Sequence, residues 1–127
     1  MNYLLDTHAI IWYLEESPDL PQPIADIIDN PKNIVSISSA SLWEITIKVS
    51  LGKLSLKLSL DELLSFISTG DFQIIQVENA HLLVLSQLPF IHKDPFDRLL
   101  IATSQAENMT IITVDENIQK YDVSWIW

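Results

Sequence analysis

The chain has no cysteine and only two glycines among its 127 residues. Without cysteine it can form neither disulfides nor thiolate zinc sites, and such a composition is compatible with a reducing cytoplasm. Because Gly52 and Gly70 lie far apart, there is no phosphate-binding loop and no dinucleotide-binding fingerprint, each of which needs closely spaced glycines. The Gly-x-Ser-x-Gly elbow of serine hydrolases is absent as well. These absences exclude the common nucleotide-binding folds and the hydrolases that depend on a cysteine or on this serine motif.

Basic residues are also few, with 7 Lys and Arg against 17 Asp and Glu and a net charge of −10. This balance argues against sequence-independent binding of nucleic acid, which depends on Lys and Arg to neutralise phosphates. It does not exclude a metal-dependent nuclease, whose site needs acids. Lys48, Lys53 and Lys57 form the only candidate basic patch, and a solvated, partly helical face explains them as well.

Long apolar runs are missing too. None approaches the roughly 18 residues of a membrane-spanning helix, and the N-terminus lacks the pattern of a signal peptide. We therefore expect a soluble, cytoplasmic protein with one domain, residues 1–127, since this length suffices for a hydrophobic core. The hydrophobic fraction of 48% is high for such a protein, so we expect apolar surface that a second copy in a homodimer, or another partner, would cover.

Strand-like and helix-like segments alternate along the chain. Strands are predicted at residues 2–5, 34–37, 72–77 and 110–114, with the apolar tail 123–127 as a candidate fifth strand. Helices are predicted at residues 7–16, 24–28, 38–51, 59–70, 78–88, 94–108 and 115–120. This alternation predicts an α/β fold, a three-layer α/β/α sandwich with a central, mainly parallel sheet.

Four acids are the most informative residues: each lies near a point where a strand-like run gives way to a helix-like segment. They are Asp6, Glu44, Asp97 and Asp115. In an open α/β fold, ligands bind outside the carboxyl ends of the strands, so we expect these acids to meet there. Helix N-termini at that edge are expected to lower the carboxyl pKa values and keep the acids ionised. Ionised carboxylates suit Mg²⁺ or Mn²⁺, and the leading hypothesis is metal-assisted phosphoryl hydrolysis.

A structural alternative exists for each acid, because Asp and Glu are frequent at helix N-termini. Asp6 and Asp115 are good N-caps, and Glu44 is spaced from Ser41 as in a capping box. With Asp94 as the cap of the long helix at 94–108, Asp97 falls at its third position, where the helix dipole favours a carboxylate. If all four acids only cap helices, the chain is a non-catalytic protein-binding module.

Two further alternatives carry less weight. A phosphatase or phosphoacceptor domain also has an aspartate after its first strand, but the Asp-x-Asp pattern is absent because position 8 is His8. His8 itself is assigned to local packing or hydrogen bonding. Aromatic residues in apolar contexts are assigned to the core or to an interface rather than to base stacking: Trp12, Trp43, Phe96, Trp125 and Trp127.

Four segments in order resemble a known family: Tyr-Leu-Leu-Asp-Thr-His at 3–8, Ser-Leu-Trp-Glu-Ile at 41–45 with Lys48 and Leu-Gly-Lys at 51–53, Asp-Pro-Phe-Asp-Arg-Leu-Leu-Ile-Ala at 94–102, and Ile-Thr-Val-Asp at 112–115. In these segments the chain resembles a PIN-domain ribonuclease of the VapC-like toxin group of type II toxin–antitoxin pairs. The resemblance runs from end to end.

The resemblance implies that Asp6, Glu44 and Asp97 form the metal-binding core and that Asp115 is a fourth, more variable acid. It implies an Mg²⁺- or Mn²⁺-dependent endoribonuclease in which a metal-bound water attacks an RNA phosphodiester, leaving a 5′-phosphate and a 3′-hydroxyl. It also implies a homodimer silenced by a small antitoxin protein that inserts a segment near the site. Nothing in the sequence selects one RNA.

Overall fold

The computed structural model describes residues 1–127, which form five strands and seven helices. The elements are β1 (Asn2–Leu5), α1 (Thr7–Leu14), α2 (Gln22–Asp29), β2 (Ile34–Ser38), α3 (Ser39–Ser50), α4 (Leu60–Thr69), β3 (Gln73–Ile75), α5 (Asn79–Gln87), α6 (Pro95–Glu107), β4 (Thr110–Ile112), α7 (Glu116–Gln119) and β5 (Ser124–Ile126). The predicted order of elements is confirmed, and the apolar tail is the fifth strand. The strands β3 and β4 are shorter than the sequence pattern indicated.

The sheet is parallel throughout, in the order β3-β2-β1-β4-β5. Its central strand is β1, where Leu4 is paired with Ser36 of β2 on one side and with Ile111 of β4 on the other. Because all strands run the same way, their carboxyl ends lie at one edge of the sheet. Ligand sites of open α/β folds are found at this edge.

Helices cover both faces of the sheet, which confirms the three-layer sandwich. Along β1, side chains alternate between the faces: Tyr3 and Leu5 enter a core of 13 buried residues with α1, α2, α3 and α4, whereas Leu4 enters a core of 8 with α6 and α7. The helix α5 packs against this second core through the partly buried Val84 and Leu85.

Local capping signals place several helix ends where the sequence predicts them. Ser59 caps α4 by accepting a hydrogen bond from the backbone N–H of Glu62 at 3.1 Å. Gly52, the residue after the C-cap of α3, has a left-handed φ of 70° that side chains other than glycine rarely adopt. These ends depend on a few neighbouring residues, so a local pattern is sufficient to locate them.

The helix α5 buries a polar side chain and exposes apolar ones. The helix buries His81 completely and leaves Leu82 and Leu83 exposed at 47% and 69%. Other large apolar side chains are exposed as well, among them Trp43 and Phe90, so the expected excess of apolar surface is present. None of the helices has the length and apolar character needed to cross a membrane.

Candidate metal centre at the carboxyl edge of the sheet

Asp6 is held at the end of the central strand by hydrogen bonds to both carboxylate oxygens. Its Oδ1 accepts from the backbone N–H of Ala9 at 2.8 Å, as an N-cap of α1, and its Oδ2 accepts from the hydroxyl of Thr113. The Thr113 hydroxyl also accepts from the backbone N–H of Asp115 at 3.0 Å. One buried hydroxyl therefore joins the ends of β1 and β4, and it brings Asp6 and Asp115 to neighbouring positions.

Asp115 caps the short helix α7, as the sequence predicts. Its Oδ1 accepts from the backbone N–H groups of Asn117 and Ile118 at 2.8 and 3.4 Å. Both Asp6 and Asp115 thus have a structural role in addition to any chemical one.

Glu44 is buried inside α3 and does not belong to a capping box, so that prediction was wrong. The helix begins earlier than the pattern suggested: its cap is Ser38, whose hydroxyl accepts from the backbone N–H of Ala40 at 3.2 Å. The Glu44 carboxylate instead accepts from the Thr7 hydroxyl at 2.5 Å and from Lys48 Nζ at 2.7 Å. Glu44 is therefore turned toward the first residue of α1, beside Asp6.

Asp97 lies at the third position of α6, and Asp94 is the cap, as predicted. Asp94 Oδ1 accepts from the backbone N–H groups of Phe96 and Asp97 at 2.9 and 3.1 Å. The Asp97 carboxylate accepts one hydrogen bond, at Oδ2 from His92 Nε2, at 3.2 Å. Asp97 therefore has no capping duty.

The expectation that every acid follows a strand was too simple. It holds for Asp6 and Asp115, but Glu44 lies within a helix, and Asp97 opens a helix that follows another helix. All four nevertheless lie near one another: Glu44 contacts Thr7 beside Asp6, and the charges of Glu44 and Asp115 act on Asp97. Tertiary packing brings these acids together.

The acids act on one another electrostatically. Burial raises the pKa of Asp97 to about 7, with the charges of Asp94, Asp115 and Glu44 adding to the effect and the His92 hydrogen bond opposing it. Burial also raises the pKa of Asp6, against the hydrogen bonds from Thr113 and Ala9. The expected lowering by helix N-termini was wrong for these two groups, because desolvation and like charge exceed the effect of the helix dipoles.

Lys48 belongs to this acidic cluster and not to a separate basic patch. Its pKa is raised, chiefly by the hydrogen bond to Glu44 and further by the charges of Asp94 and Asp97. Lys53 and Lys57 are exposed and point to no acid of the cluster. Lys48 is thus the one lysine that forms an ion pair with an acid of this cluster.

The donor set fits a hard divalent cation. The four carboxylates offer oxygen donors only, and their surplus of negative charge is met by one lysine. No three of them bring their oxygens within 4.8 Å of one another. A cation held by these acids would therefore keep water molecules among its ligands, as Mg²⁺ usually does in proteins. His8 stays outside this set: it is exposed and packs against Trp12, with the ring centroids 5.6 Å apart and the rings tilted by 42°, in agreement with a role in local packing.

A second cluster, Glu78, His81 and Glu107, is tighter but has the wrong hydrogen bonds for a metal. Its candidate ligand atoms lie within 4.8 Å of one another. His81 Nδ1 accepts from the backbone N–H of Glu78 at 3.2 Å, so the ring proton is on Nε2, which donates to Glu107 at 2.8 Å. A metal needs a free nitrogen lone pair, and neither is free. This cluster is a junction between α5 and α6.

Sequence reasoning missed three side chains that touch the acids: Thr7, His92 and Thr113. Thr7 and Thr113 are each within two residues of an acid, which is a usable signal for a polar group at the same edge. His92 had no such signal, since its contact with Asp97 depends on how the loop between α5 and α6 folds back.

Comparison with known proteins identifies the family. A family model described as PIN domain matches residues 3–124. The chain belongs to the PIN domain family. All four acids of this PIN domain fall within the matched range, and so do Thr7, His92 and Thr113. No match was found among curated proteins.

Solved structures share the fold of this PIN domain at low sequence identity. VapBC2 from Rickettsia felis, bound to a DNA fragment from its promoter, matches with a TM-score of 0.77 and 19% identity over 100% of this chain and 99% of that chain. VapBC-1 from nontypeable Haemophilus influenzae matches with a TM-score of 0.70 and 18% identity over 99% of this chain and 97% of that chain. VapBC-5 from Mycobacterium tuberculosis, a member of the VapBC family of toxin-antitoxin systems, matches with a TM-score of 0.60 and 16% identity over 98% of this chain and 95% of that chain.

Proposed function

We propose that this PIN domain is a metal-dependent endoribonuclease in which Asp6, Glu44, Asp97 and Asp115 hold Mg²⁺ or Mn²⁺. The observation that carries the proposal is that four acids from separate segments act on one another: the pKa of Asp97 is raised to about 7 by burial and, in addition, by the charges of Asp94, Asp115 and Glu44. Membership of the PIN family, whose members are generally metal-dependent nucleases, supports the same chemistry.

The side chains around the acids suit this role. A bound divalent cation would supply an activated water and neutralise charge at the phosphodiester. Asp6, fixed through both oxygens, provides a rigid anchor, and Glu44 is oriented by Thr7 and Lys48. Lys48 is 39% exposed in its side chain and places a positive charge beside the acids, where an RNA phosphate would approach. No histidine or lysine is needed as the general base.

The first test is RNA cleavage by purified protein. We expect cutting with Mg²⁺ or Mn²⁺, none in EDTA, and a loss of about 100-fold or more in Asp6→Asn, since this change removes a charged ligand while keeping the shape. Asp26→Asn is the matched control, because Asp26 is exposed and lies on α2, which carries none of the four acids. Cleavage that persists in EDTA or in Asp6→Asn would contradict the proposal.

We further propose that the protein is the toxin of a toxin–antitoxin pair, acting in the cytoplasm as a one-domain homodimer that a small antitoxin protein silences. The structural neighbours in VapBC complexes support this reading, and so does the exposed apolar surface, where Phe90 is 81% and Leu83 69% exposed. Expression alone is expected to arrest growth. Light scattering would measure the dimer, and pull-down from the native host would recover the antitoxin.

The cap roles of Asp6 and Asp115 favour a second candidate, a non-catalytic binding module of the same fold. Asp97 separates the two, because it caps nothing. If the protein is a nuclease, Asp97→Asn abolishes the binding of Mn²⁺ in calorimetry and preserves the fold. If it is a binding module, the wild-type protein gives no Mn²⁺ signal.

A further inference from the structure

His92 lies between a buried tyrosine and the acid Asp97. Its Nδ1 is 2.8 Å from the hydroxyl of Tyr121, and its Nε2 is 3.2 Å from Asp97 Oδ2. The His92 and Tyr121 rings meet edge to face, with centroids 5.4 Å apart. The histidine is therefore held on both sides, by a core residue after α7 and by an acid at the first turn of α6.

The hydrogen bonds at Tyr121 determine which nitrogen of His92 carries the proton. The Tyr121 hydroxyl accepts from Arg98 Nη1 at 3.1 Å and from the backbone N–H of His92 at 3.2 Å, which uses both of its lone pairs. Its one proton then has two acceptors to choose from: His92 Nδ1 at 2.8 Å or the His92 carbonyl at 3.5 Å. The shorter contact selects Nδ1, so the proton of neutral His92 is on Nε2 and is donated to Asp97.

Arg98 is the fixed end of this network. It is buried, has no carboxylate within 4.0 Å, and donates to the carbonyl of Pro89 at 2.8 Å and to Tyr121. Because an arginine is always charged and has no acceptor, it can only donate to the tyrosine. The direction of every hydrogen bond from Arg98 through Tyr121 and His92 to Asp97 is thereby set.

We propose that His92 is a positioning residue for Asp97, which it orients by donating Nε2–H to Oδ2 and leaving Oδ1 free for a divalent cation. The inference depends on the proposed function for the cation. Its basis is geometric. The contact with His92 is the single hydrogen bond of the Asp97 carboxylate, whereas the carboxylates of Asp6 and Glu44 each accept two. Hydrogen bonds to metal-binding carboxylates hold them in the binding orientation.

Two substitutions separate positioning from a merely structural role. In His92→Asn the amide occupies the place of Nδ1, so the contact with Tyr121 is retained and the donor to Asp97 is lost. In His92→Gln the amide nitrogen reaches the place of Nε2, so the donor to Asp97 is retained. Calorimetry with Mn²⁺ is expected to show about tenfold weaker binding in His92→Asn and near wild-type binding in His92→Gln, given the usual effect of such supporting groups.

A second measurement needs no change at the site and remains informative if a variant fails to fold. Long-range ¹⁵N spectra of the histidine rings at mildly alkaline pH are expected to show His92 with its proton on Nε2, and to show a shift toward the other tautomer in Tyr121→Phe. Wild-type His92 with its proton on Nδ1 would overturn the inference.

The outcomes also separate this inference from the proposed function. If wild-type protein binds Mn²⁺ and His92→Asn binds it equally well, positioning by His92 is overturned and the metal site stands. If wild-type protein binds no Mn²⁺, both are overturned.

Discussion

The molecule has two clusters of acids with a histidine nearby, and they differ in how their charges are satisfied. At the α5–α6 junction, the candidate ligands lie within 4.8 Å of one another, and both nitrogens of His81 are engaged in hydrogen bonds. At the carboxyl edge of the sheet the acids are farther apart, yet the pKa of Asp97 is raised to about 7. We therefore propose the metal site at the carboxyl edge, where the carboxylates keep free lone pairs, and not at the α5–α6 junction, where both nitrogens of His81 are engaged.

The largest expected difference between the clusters is in metal binding. Asp97→Asn should weaken Mn²⁺ binding by about 100-fold or more, since a hard cation depends on charged oxygen ligands. Glu107→Gln, the matched change at the α5–α6 junction, should leave the affinity within about twofold, because that cluster offers no free nitrogen lone pair. Calorimetry measures both. A loss of Mn²⁺ affinity in Glu107→Gln would show that the α5–α6 junction takes part in metal binding.

The α5–α6 junction should instead matter for the free energy of unfolding and not for Mn²⁺ binding. His81→Ala removes a buried ring with two hydrogen bonds and leaves a cavity between α5 and α6, so we expect the free energy of unfolding to fall by about 2–4 kcal/mol. Urea denaturation measures this. Mn²⁺ affinity of the folded fraction should not change; a specific loss of Mn²⁺ binding with unchanged stability would mean that His81 is a ligand.

The pH dependence of the metal-free protein sharpens the same contrast. Because the pKa of Asp97 is raised from 3.8 to about 7 in the folded state, the folded protein binds this proton more tightly than the unfolded chain does. The contribution of Asp97 to stability is therefore most favourable below pH 3.8 and is lost as the pH rises to about 7.

This loss is measured as the difference in the free energy of unfolding between wild-type and Asp97→Asn protein across that pH range. We expect about 1–2 kcal/mol, well under the full conversion of the shift, because solvent screens a partly exposed carboxyl. Saturating Mn²⁺ should reverse the slope. If the difference in the free energy of unfolding between the two proteins does not change with pH, the pKa of Asp97 is not raised in the folded protein.

The smallest expected effect concerns a polar group that belongs to neither cluster. Ser36 Oγ is buried on β2 without a hydrogen-bond partner. Ser36→Ala should therefore be neutral or raise the free energy of unfolding by about 1 kcal/mol, with no change in Mn²⁺ binding. Destabilisation in thermal unfolding would indicate that the hydroxyl does find a partner.

Much of the fold could be predicted from the sequence because its signals are local. The caps Asp6, Ser59, Asp94 and Asp115 locate helix starts through hydrogen bonds to residues two or three positions ahead. The alternation of short apolar runs with helical segments predicted the parallel sheet and its two helical layers. The positions of Asp6 and Asp115 after their strands were also predicted in this way.

Other features could not be predicted because they depend on contacts between distant residues. Because α3 begins at Ser39, Glu44 is not part of a capping box as predicted. It is buried and contacts Thr7, which is 37 positions away. The face that α5 buries was decided by α6, whose Glu107 pairs with His81. The direction of the pKa changes at Asp6 and Asp97 was decided by burial, which a helix-dipole argument does not include.

The amino-acid sequence by itself determined the order of the elements, the parallel sheet and the caps Asp6, Asp94 and Asp115, since periodicity and capping act over a few residues. Only the tertiary structure decided how the acids of the candidate site are charged and which side chains hold them. Desolvation and the hydrogen bonds of His92 and Thr113 arise when segments as much as 107 positions apart are packed together.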